Sequence, residues 1–468
     1  MDSMDLEVIV TQGLGNASYL VASDGDAVAV DPPRDAWRVA AIAAERGWRL
    51  THVLETHVHN DYLSGALELR ASNGIEIVAP ARGRYAFAHR GMEGDDTLEV
   101  GGLRFVARAT PGHTPEHLAF EVVEDGTGVP TAVFTGGSLM VGSAGRTDLL
   151  GPAALDELTS AQFRSLRALA TLPDSVAVLP THGPGSFCGA GAADRGRTST
   201  IGAERALNPL LAIDDEAAFR STVLAGYHPY PTYYAQMAPL NRAGPAVLGG
   251  LPVPVHLDPA GLRAAVAAGA RLVDARDRDA VARGHIPGAL GVELSDSFAS
   301  YLGWLLPVGT PLVLVLPEPA GEATDEAVGQ LLRIGFDRIV GVLEGGMDAW
   351  AAAGGEVRTY PIATVAEVAA TLSDVTAGAV TADAERPRVL DVRDPYEWLE
   401  ASPVEGALTV PFWDLPARIG ELPRDAPIIV MCKSGARSSV AASLLDAAGF
   451  EVTAVTRGGA PDWPVSRD

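Results

Sequence analysis

The sequence predicts an α/β protein with three domains in a row, and three observations indicate this class. Short apolar runs that lead into loops of histidine, threonine and glycine recur through the first part of the chain. A stretch rich in proline, glycine and tyrosine follows at residues 228–256 and reads as a boundary. The remainder is an internal repeat of short apolar strands and helix-like stretches, typical of a mostly parallel sheet. We therefore expect domains at 1–245, 246–362 and 363–468.

Composition narrows the classes of partner and compartment. The formal net charge of −24 argues against a nucleic acid or an anionic membrane as partner. There is no run of about 18 apolar residues, so no membrane-spanning helix is expected. Two cysteines, Cys188 and Cys432, cannot form a disulfide framework, and the acidic start Met1–Asp5 has no apolar signal core. We expect a cytoplasmic protein that forms a homo-oligomer.

The first chemically informative loop begins at His57. His57, His59 and Asp61 lie within five residues, directly after the apolar pair Val53-Leu54. Neutral imidazole nitrogens and a carboxylate are the ligands that a borderline divalent metal prefers. A strand that ends here would hold both imidazoles at the edge of a sheet.

Three later strand-like runs end in loops of the same kind, and loops at strand ends are where a rigid scaffold presents functional groups. These loops are Thr110-Pro111-Gly112-His113, Thr135-Gly136-Gly137 and Pro180-Thr181-His182-Gly183. Together with the His57 loop, in this order, they resemble the metallo-β-lactamase superfamily over about residues 6–240. The resemblance implies an αββα sandwich with a metal site at one edge of its sheets.

The resemblance also implies which residues bind the metal. The first-metal trio corresponds to His57, His59 and His113, while Asp61 and His182 are what remains of a second set. The second set is incomplete because this chain has Tyr62 where the pattern has a histidine, and Gly137 where the pattern has an aspartate. We therefore expect one divalent metal, zinc or iron, and an inherited fold without metal is the alternative. Restoring the carboxylate with Gly137→Asp is expected to raise metal affinity.

A second chemical centre follows the apolar run Ile428–Met431. Its loop is Cys432-Lys433-Ser434-Gly435-Ala436-Arg437, and the helix-like stretch Ser438–Ala448 comes next. A loop between a strand and a helix N-terminus turns backbone N–H groups inward at the positive end of the helix dipole. Such a cradle favours the ionised form of a thiol and stabilises an anion attached to its sulfur. Gly435 allows the tight curvature.

This loop resembles the active loop of rhodaneses, in which an arginine follows the cysteine after five residues. Asp391, Arg393, Glu397 and Trp463 fit the rest of that pattern. The resemblance implies that Cys432 carries a persulfide, that residues 433–436 cradle it, and that Arg437 neutralises an oxyanion of the sulfur donor. A dual-specificity phosphatase is the weaker rival, because its loop usually holds one more residue between cysteine and arginine.

The middle repeat has the fold signals without this chemistry. His285-Ile286-Pro287-Gly288-Ala289 is a rhodanese-like segment, but Leu316 takes the place of Cys432 and Gly321 that of Arg437. The loop between them contains two prolines, which lack N–H donors, and Glu318, whose charge repels an anion. We expect this repeat to contribute nothing to sulfur transfer.

Two further positions concern the first domain. Gly145-Arg146-Thr147-Asp148 resembles the glyoxalase II and persulfide dioxygenase branch of the superfamily, and this implies that Arg146 lies near a thiol substrate. Cys188 follows His182 by six residues. We interpret it as a packing residue, since small buried thiols are common.

The order of domains resembles bacterial persulfide dioxygenase–sulfurtransferase fusions. The leading hypothesis is an enzyme that handles the sulfane sulfur of a small thiol or persulfide, with a metal-dependent first domain and Cys432 as sulfur carrier. One alternative is a zinc-dependent hydrolase of thioester-like bonds with an accessory rhodanese. The other is a metal-free first domain that serves as a binding or sensor module.

Overall fold

A computed structural model describes residues 4–189, 196–376 and 387–463. The first three residues of the acidic start lie outside this range. The chain divides into two compact units, one of residues 1–252 with 329–335 and one of residues 253–328 with 336–468. Among the described residues, no helix is both long and apolar enough to cross a membrane.

The first unit is a sandwich of two six-stranded sheets with helices on both outer faces. The first sheet contains, in spatial order, β1 (Asp5–Thr11), β2 (Asn16–Ser23), β3 (Asp26–Val30), β4 (Arg49–Leu54), β5 (Glu76–Pro80) and β6 (Arg90–Met92). The second contains β7 (Thr97–Val100), β8 (Leu103–Ala109), β9 (Leu118–Glu124), β10 (Pro130–Gly136), β13 (Ala177–Pro180) and β14 (Ser199–Thr200). A ribbon of β11 (Leu139–Met140) and β12 (Ser143–Ala144) lies between β10 and β13 in the chain. The helices are α1 (Trp37–Glu45), α2 (Ala66–Asn73), α3 (Pro152–Leu169), α4 (Ile201–Leu207), α5 (Glu216–Ala225) and α6 (Tyr234–Ala243).

Three apolar layers hold this sandwich together. The inner faces of the two sheets bury aromatic and branched side chains against each other, among them Tyr19, Phe105, Phe120 and Phe134. Helices α1 and α2 cover the outer face of the first sheet, and α3, α4 and α5 cover that of the second. The predicted αββα architecture and the α/β class are confirmed.

The strand register brings the four predicted loops to one edge. β4 runs parallel to β3 and β5, and β10 runs parallel to β13, with Gly136 opposite Pro180. An isolated bridge between Asn16 and His182 joins the last loop to the first sheet. The loops after β4, β8, β10 and β13 therefore meet at the carboxyl ends of their strands.

The second unit contains two sheets of five parallel strands. The middle repeat has the spatial order β15 (His256–Leu257), β19 (Ile339–Leu343), β18 (Leu312–Val315), β16 (Arg271–Asp274) and β17 (Leu290–Gly291). The last repeat has the order β20 (Ile362–Thr364), β24 (Val452–Arg457), β23 (Ile428–Met431), β21 (Arg388–Asp391) and β22 (Leu408–Thr409). Their helices are α7 (Pro259–Ala267), α8 (Arg278–Arg283), α9 (Phe298–Leu305), α10 (Ala320–Arg333), α11 (Gly346–Ala352), α12 (Val365–Thr376), α13 (Pro395–Glu400), α14 (Leu415–Arg418) and α15 (Ala436–Ala447).

The two sheets repeat one topology, as the internal sequence repeat predicted. In each sheet, the strand that comes first in the chain lies at one edge, and the strand that comes third lies at the opposite edge. The match extends to side chains: Arg276 pairs with Asp274 at 2.6 Å, and Arg393 pairs with Asp391 at 2.7 Å. The segment predicted as a plain boundary after the first domain is different, because it contains α6, which packs onto the first unit.

Candidate metal centre and sulfur-transfer loop

The proton on each clustered histidine of the first unit is fixed by the partner of its Nδ1 atom. The Thr56 hydroxyl donates to the Asp31 carboxylate at 2.7 Å, so at 2.8 Å from His57 Nδ1 it must accept. His113 Nδ1 donates to the backbone carbonyl of Arg146 at 2.8 Å. His182 Nδ1 donates to Asn16 Oδ1 at 3.1 Å. Each of the three rings thus carries its proton on Nδ1 and a lone pair on Nε2.

Those lone pairs converge. The ligating atoms of His57, His113 and His182 lie within 4.8 Å of one another, and all three side chains are fully buried. His57 Nε2 lies 3.3 Å from His182 Nε2, and His113 Nε2 has no hydrogen-bond partner within the described part of the chain. Burial lowers the pKa of His113 to about 3 and that of His57 well below its usual value, so both stay neutral. Neutral histidines whose second nitrogen donates to a protein oxygen are typical metal ligands, and the three fit one divalent ion.

His59 has a different environment from the one predicted. Its Nε2 lies 2.9 Å from Glu55 Oε2 and 3.4 Å from Asp31 Oδ1. Burial alone lowers the pKa of His59, but these two carboxylates outweigh it and raise the pKa to about 10. His182 thus joins His57 and His113 in the convergent set, while His59 is grouped with Asp31 and His57. His59 Nδ1 is buried without a hydrogen-bond partner among the described residues, and the ligand role expected for His59 stays a prediction.

Asp61 and Cys188 lie beside this centre. Asp61 Oδ2 accepts from Asn16 Nδ2 at 2.9 Å, and among the residues that the structure describes the buried Oδ1 has no hydrogen-bond partner. Burial raises the pKa of Asp61, but hydrogen bonds from His182 and Asn16 and the nearby His59 cation outweigh it and lower the pKa to about 2. Burial raises the pKa of the Cys188 thiol, whose sulfur lies within 4.8 Å of ligating atoms of Asp61 and His182. Cys188 is thus a neutral packing thiol next to the predicted second set.

Gly137 lies beside the histidines, as expected if it replaces the aspartate of the pattern. The space that a side chain would need there is occupied by a histidine ring. A Cβ atom added at Gly137 would overlap the imidazole ring of His113. The Gly137 N–H donates to His117 Nε2 at 2.9 Å. The expectation that an aspartate here adds a ligand stays a prediction, and in this arrangement its side chain would have to displace the His113 ring.

Arg146 is buried in the wall of the site. It donates to both oxygens of Asp148 at 2.7 and 2.8 Å, and to the carbonyls of Phe187 and His228. Its guanidinium also lies 4.5 Å from the centroid of the Tyr230 ring. All three guanidinium nitrogens donate to protein groups and so hold these loops together, while the substrate-facing role expected for Arg146 stays a prediction.

Helix α6 supplies residues that the sequence did not single out. Asn241 Nδ2 donates to the carbonyls of His59 and Tyr62 at 2.9 and 2.8 Å, and its Oδ1 accepts from the Ser64 N–H. The Tyr233 hydroxyl donates to the Asp61 carbonyl at 3.0 Å. These contacts fix the backbone of the His57 loop. No local pattern marks them, since they join residues about 180 positions apart.

In the second unit, the Cys432 loop has the geometry that the sequence predicted. The Gly435 N–H donates to Cys432 Sγ at 3.1 Å, and Ser438 Oγ lies 3.6 Å from the same sulfur. Gly435 has φ of 97°, and a Cβ atom there would overlap the Thr456 carbonyl. Lys433 and Ser434 are exposed, whereas Cys432 is buried at the N-terminus of α15.

Arg437 is already paired in this structure. Its two terminal nitrogens lie 2.5 and 2.8 Å from the carboxylate oxygens of Glu397. The Arg437 cation outweighs burial and holds the pKa of Glu397 below its usual value. The sequence pattern included Glu397 but did not reveal this ion pair. An anionic donor would therefore meet a guanidinium that Glu397 has oriented and partly neutralised.

The middle repeat fills its own corresponding helix start. Leu316 is buried where the thiol would be, and the Ala320 N–H donates to Glu318 Oε2 at 3.1 Å. The carboxylate of Glu318 occupies the end of α10 that an anion would need. This agrees with the prediction that the middle repeat lacks a sulfur-carrying loop.

Family models match both parts of the chain. The Metallo-beta-lactamase superfamily model matches residues 11–182, and the Rhodanese-like domain model matches residues 258–353 and 376–464. A hydroxyacylglutathione hydrolase of Chromohalobacter salexigens is 31% identical over 224 residues, which are 42% of this chain and 83% of that protein. The chain belongs to the metallo-beta-lactamase superfamily. Two rhodanese-like domains follow the superfamily domain, as the sequence predicted.

Two further relatives agree with this assignment. A hydroxyacylglutathione hydrolase of Cereibacter sphaeroides is 32% identical over 188 residues, which are 38% of this chain and 67% of that protein. A crystal structure of a metallo-beta-lactamase from Staphylococcus aureus is 27% identical with a TM-score of 0.66, covering 72% of this chain and 98% of that one. The chain thus spans about two thirds of the length of the first curated relatives.

Proposed function

We propose that this protein handles sulfane sulfur: Cys432 accepts a sulfur atom as a persulfide, and the first unit acts on a small thiol or persulfide through a divalent metal. The observation that carries the proposal is the Gly435 N–H donated to Cys432 Sγ at 3.1 Å, at the start of α15. A backbone donor and a helix N-terminus stabilise negative charge on that sulfur.

The sulfur-transfer step needs no cofactor. The Cys432 thiolate attacks the outer sulfur of a donor such as thiosulfate, a new S–S bond forms, and sulfite leaves with the electron pair of the broken bond. The terminal sulfur of the resulting persulfide is then attacked by an acceptor thiolate or by cyanide, which regenerates the Cys432 thiolate. Arg437, held by Glu397, lies at the loop to attract the anionic donor.

The first unit supplies a site for a divalent ion through His57, His113 and His182, with Asp61 beside them. When bound, the ion is a Lewis acid that polarises the substrate. The chain's own residues orient the three rings by their Nδ1 hydrogen bonds, and burial keeps His57 and His113 neutral. The proposed metal is zinc or iron, the proposed substrate is a small thiol or persulfide, and the proposed assembly is a homo-oligomer.

A zinc-dependent hydrolase is the second candidate. It is favoured by the hydroxyacylglutathione hydrolases that resemble the first unit at 31% and 32% identity, and by a convergent set made of histidine nitrogens, which suit zinc. In that case the substrate would be a thioester of a small thiol, and the rhodanese-like repeats would be accessory.

Metal analysis together with mass spectrometry tests the proposal. We expect about one divalent ion per chain in the wild type and none in His57→Ala, with His52→Ala, a histidine of β4 outside the cluster, as the matched control. After exposure to thiosulfate, a sulfur adduct should appear on the peptide that holds Cys432. Iron with oxygen uptake supports persulfide oxidation, and zinc with thioester hydrolysis supports the second candidate. An adduct on Cys188 alone, or undiminished thiosulfate:cyanide transfer by Cys432→Ser, would overturn the role of Cys432.

A further inference from the structure

The peptide group between Ser434 and Gly435 is held at both of its ends. Its N–H, on Gly435, donates to Cys432 Sγ at 3.1 Å. Its carbonyl oxygen, on Ser434, accepts from Arg278 Nη1 at 3.3 Å. Arg278 belongs to α8 of the middle repeat, which lacks a sulfur-carrying cysteine.

Arg278 is well placed to keep this contact. Its Nε donates to Glu293 Oε2 at 2.6 Å, which fixes the plane of the guanidinium. The same Nη1 lies 3.4 Å from the Thr456 carbonyl, the group against which Gly435 packs. The Arg278 side chain is 22% exposed, and its contact with Ser434 lies at the protein surface. One cation therefore bridges the two backbone segments that shape the Cys432 loop.

A cation at the carbonyl end of an amide draws electron density towards the oxygen and makes the N–H a stronger donor. Here that stronger donor points at the sulfur of Cys432. We infer that Arg278 of the middle repeat is a positioning residue of the sulfur-transfer site, which orients and polarises the Ser434–Gly435 peptide that stabilises the sulfur anion. This rests on the proposed function of Cys432, and it departs from the expectation that the middle repeat contributes nothing.

Other contacts of the middle repeat point to the same loop. Asp279, next to Arg278, pairs with Arg457 at 2.8 Å, directly after Thr456. Tyr301 of α9 packs its ring 5.3 Å from that of Phe412. Burial raises the pKa of Tyr301, the Arg437 cation lowers it and the charge of Cys432 raises it, so this phenol lies within electrostatic reach of both.

The test measures the reactivity of Cys432 in the full chain as a function of pH, by mass spectrometry of its alkylated peptide. Arg278→Met should slow alkylation at neutral pH by about three- to tenfold and move the midpoint of the pH–rate profile to higher pH, because the N–H donor is weakened. Arg278→Lys should restore part of the rate. Arg358→Ala is the matched control, since Arg358 also pairs across the repeats, with Asp446 at 3.6 Å, but away from the loop.

Unchanged profiles in Arg278→Met, or equal shifts in Arg278→Met and Arg358→Ala, would overturn the inference. The thermal unfolding midpoint of each variant is measured alongside. If Arg278→Met unfolds at a lower temperature than the wild type, Glu293→Gln is tested in its place. Its pH–rate midpoint should lie between those of the wild type and Arg278→Met, because Arg278 is present but no longer held by Glu293. Alkylation does not require a sulfur donor. A wild type that forms no Cys432 persulfide would therefore defeat the proposed function while leaving the role of Arg278 to be decided by the profiles.

Discussion

A histidine binds a metal only through a nitrogen that carries no proton, and in the first unit hydrogen bonds at the opposite nitrogen decide which one that is. The Asp31 carboxylate accepts the hydrogen bond that the Thr56 hydroxyl donates, so Thr56 must accept a hydrogen bond from His57. The Arg146 carbonyl, which can only accept, sets the ring of His113 in the same way. Residue identity suggested the ligands, but these second partners select among them.

Gly137 gives a test of this arrangement at the scale of one side chain. Gly137→Ala should lower the affinity for zinc by at least about tenfold, because the added methyl overlaps the His113 ring and pushes it out of the convergent set. Competition titration with a chromophoric chelator measures the affinity. Gly94→Ala, at an exposed position where an added Cβ atom makes only ordinary van der Waals contacts, controls for a general effect of losing a glycine. An affinity that rises in Gly137→Ala would show that the ring of His113 is not where metal binds.

At the scale of elements, short helices with capped ends deliver the functional groups. Helix α13 begins with a capping box: Asp394 caps the first turn, and the Glu397 side chain accepts from the Asp394 N–H at 2.8 Å. The same Glu397 orients Arg437 at the start of α15. A local capping motif and a long-range ion pair thus share one carboxylate, which couples the start of α13 to the Cys432 loop.

The cap of α13 predicts a pH dependence of stability. Burial raises the pKa of Asp394 from 3.8 to about 6. A raised carboxyl pKa means that the folded state binds the proton more tightly, so its contribution to stability is lost as pH rises from about 4 to about 6. Asp394→Asn keeps the cap without the charge. The free energy of urea unfolding of the variant should gain roughly 1 to 3 kcal/mol on the wild type over this range. A constant difference between the two proteins would contradict the raised pKa.

At the scale of the whole molecule, the two chemical centres belong to different compact units. The histidine cluster lies within residues 1–252, and the Cys432 loop lies within residues 336–468. The first depends on loops from both sheets of the sandwich. The second depends on one strand–loop–helix connection and on the packing of the two repeats.

Hydrogen–deuterium exchange can separate the two centres. Adding zinc should slow amide exchange in peptides that contain His57, His113 and His182. The reason is that an ion bound only by the folded histidine cluster makes local unfolding of these segments less favourable. The peptide that contains Cys432 should exchange at an unchanged rate. His57→Ala, which lacks a ligand, should show no zinc protection anywhere. Protection confined to the Cys432 peptide would show that zinc binds in the second unit, which contradicts a metal site at the histidine cluster of the first.

The sequence by itself determined the fold class, the repeat and the positions of both centres. Strand-like runs, glycines and histidines report local structure, and the resemblance to two families set their order in space. The strand–loop–helix connection at Cys432 was predictable because its local shape comes from six consecutive residues, whereas Arg278 and Thr456, which flank the loop, lie elsewhere in the chain. For the same reason the loss of the thiol at Leu316 could be read directly.

Only the tertiary structure decided which groups are free to act. It added His182 to the histidines that converge, and it placed two carboxylates beside His59, one directly after β4 and one directly after β3. It closed the place of the missing aspartate at Gly137 with the His113 ring, it placed Arg146 against the carbonyls of Phe187 and His228, and it paired Arg437 with Glu397. It also brought Arg278 to the Ser434 carbonyl across 156 positions. Partners of buried charges are set by packing between distant segments, which a local pattern does not encode.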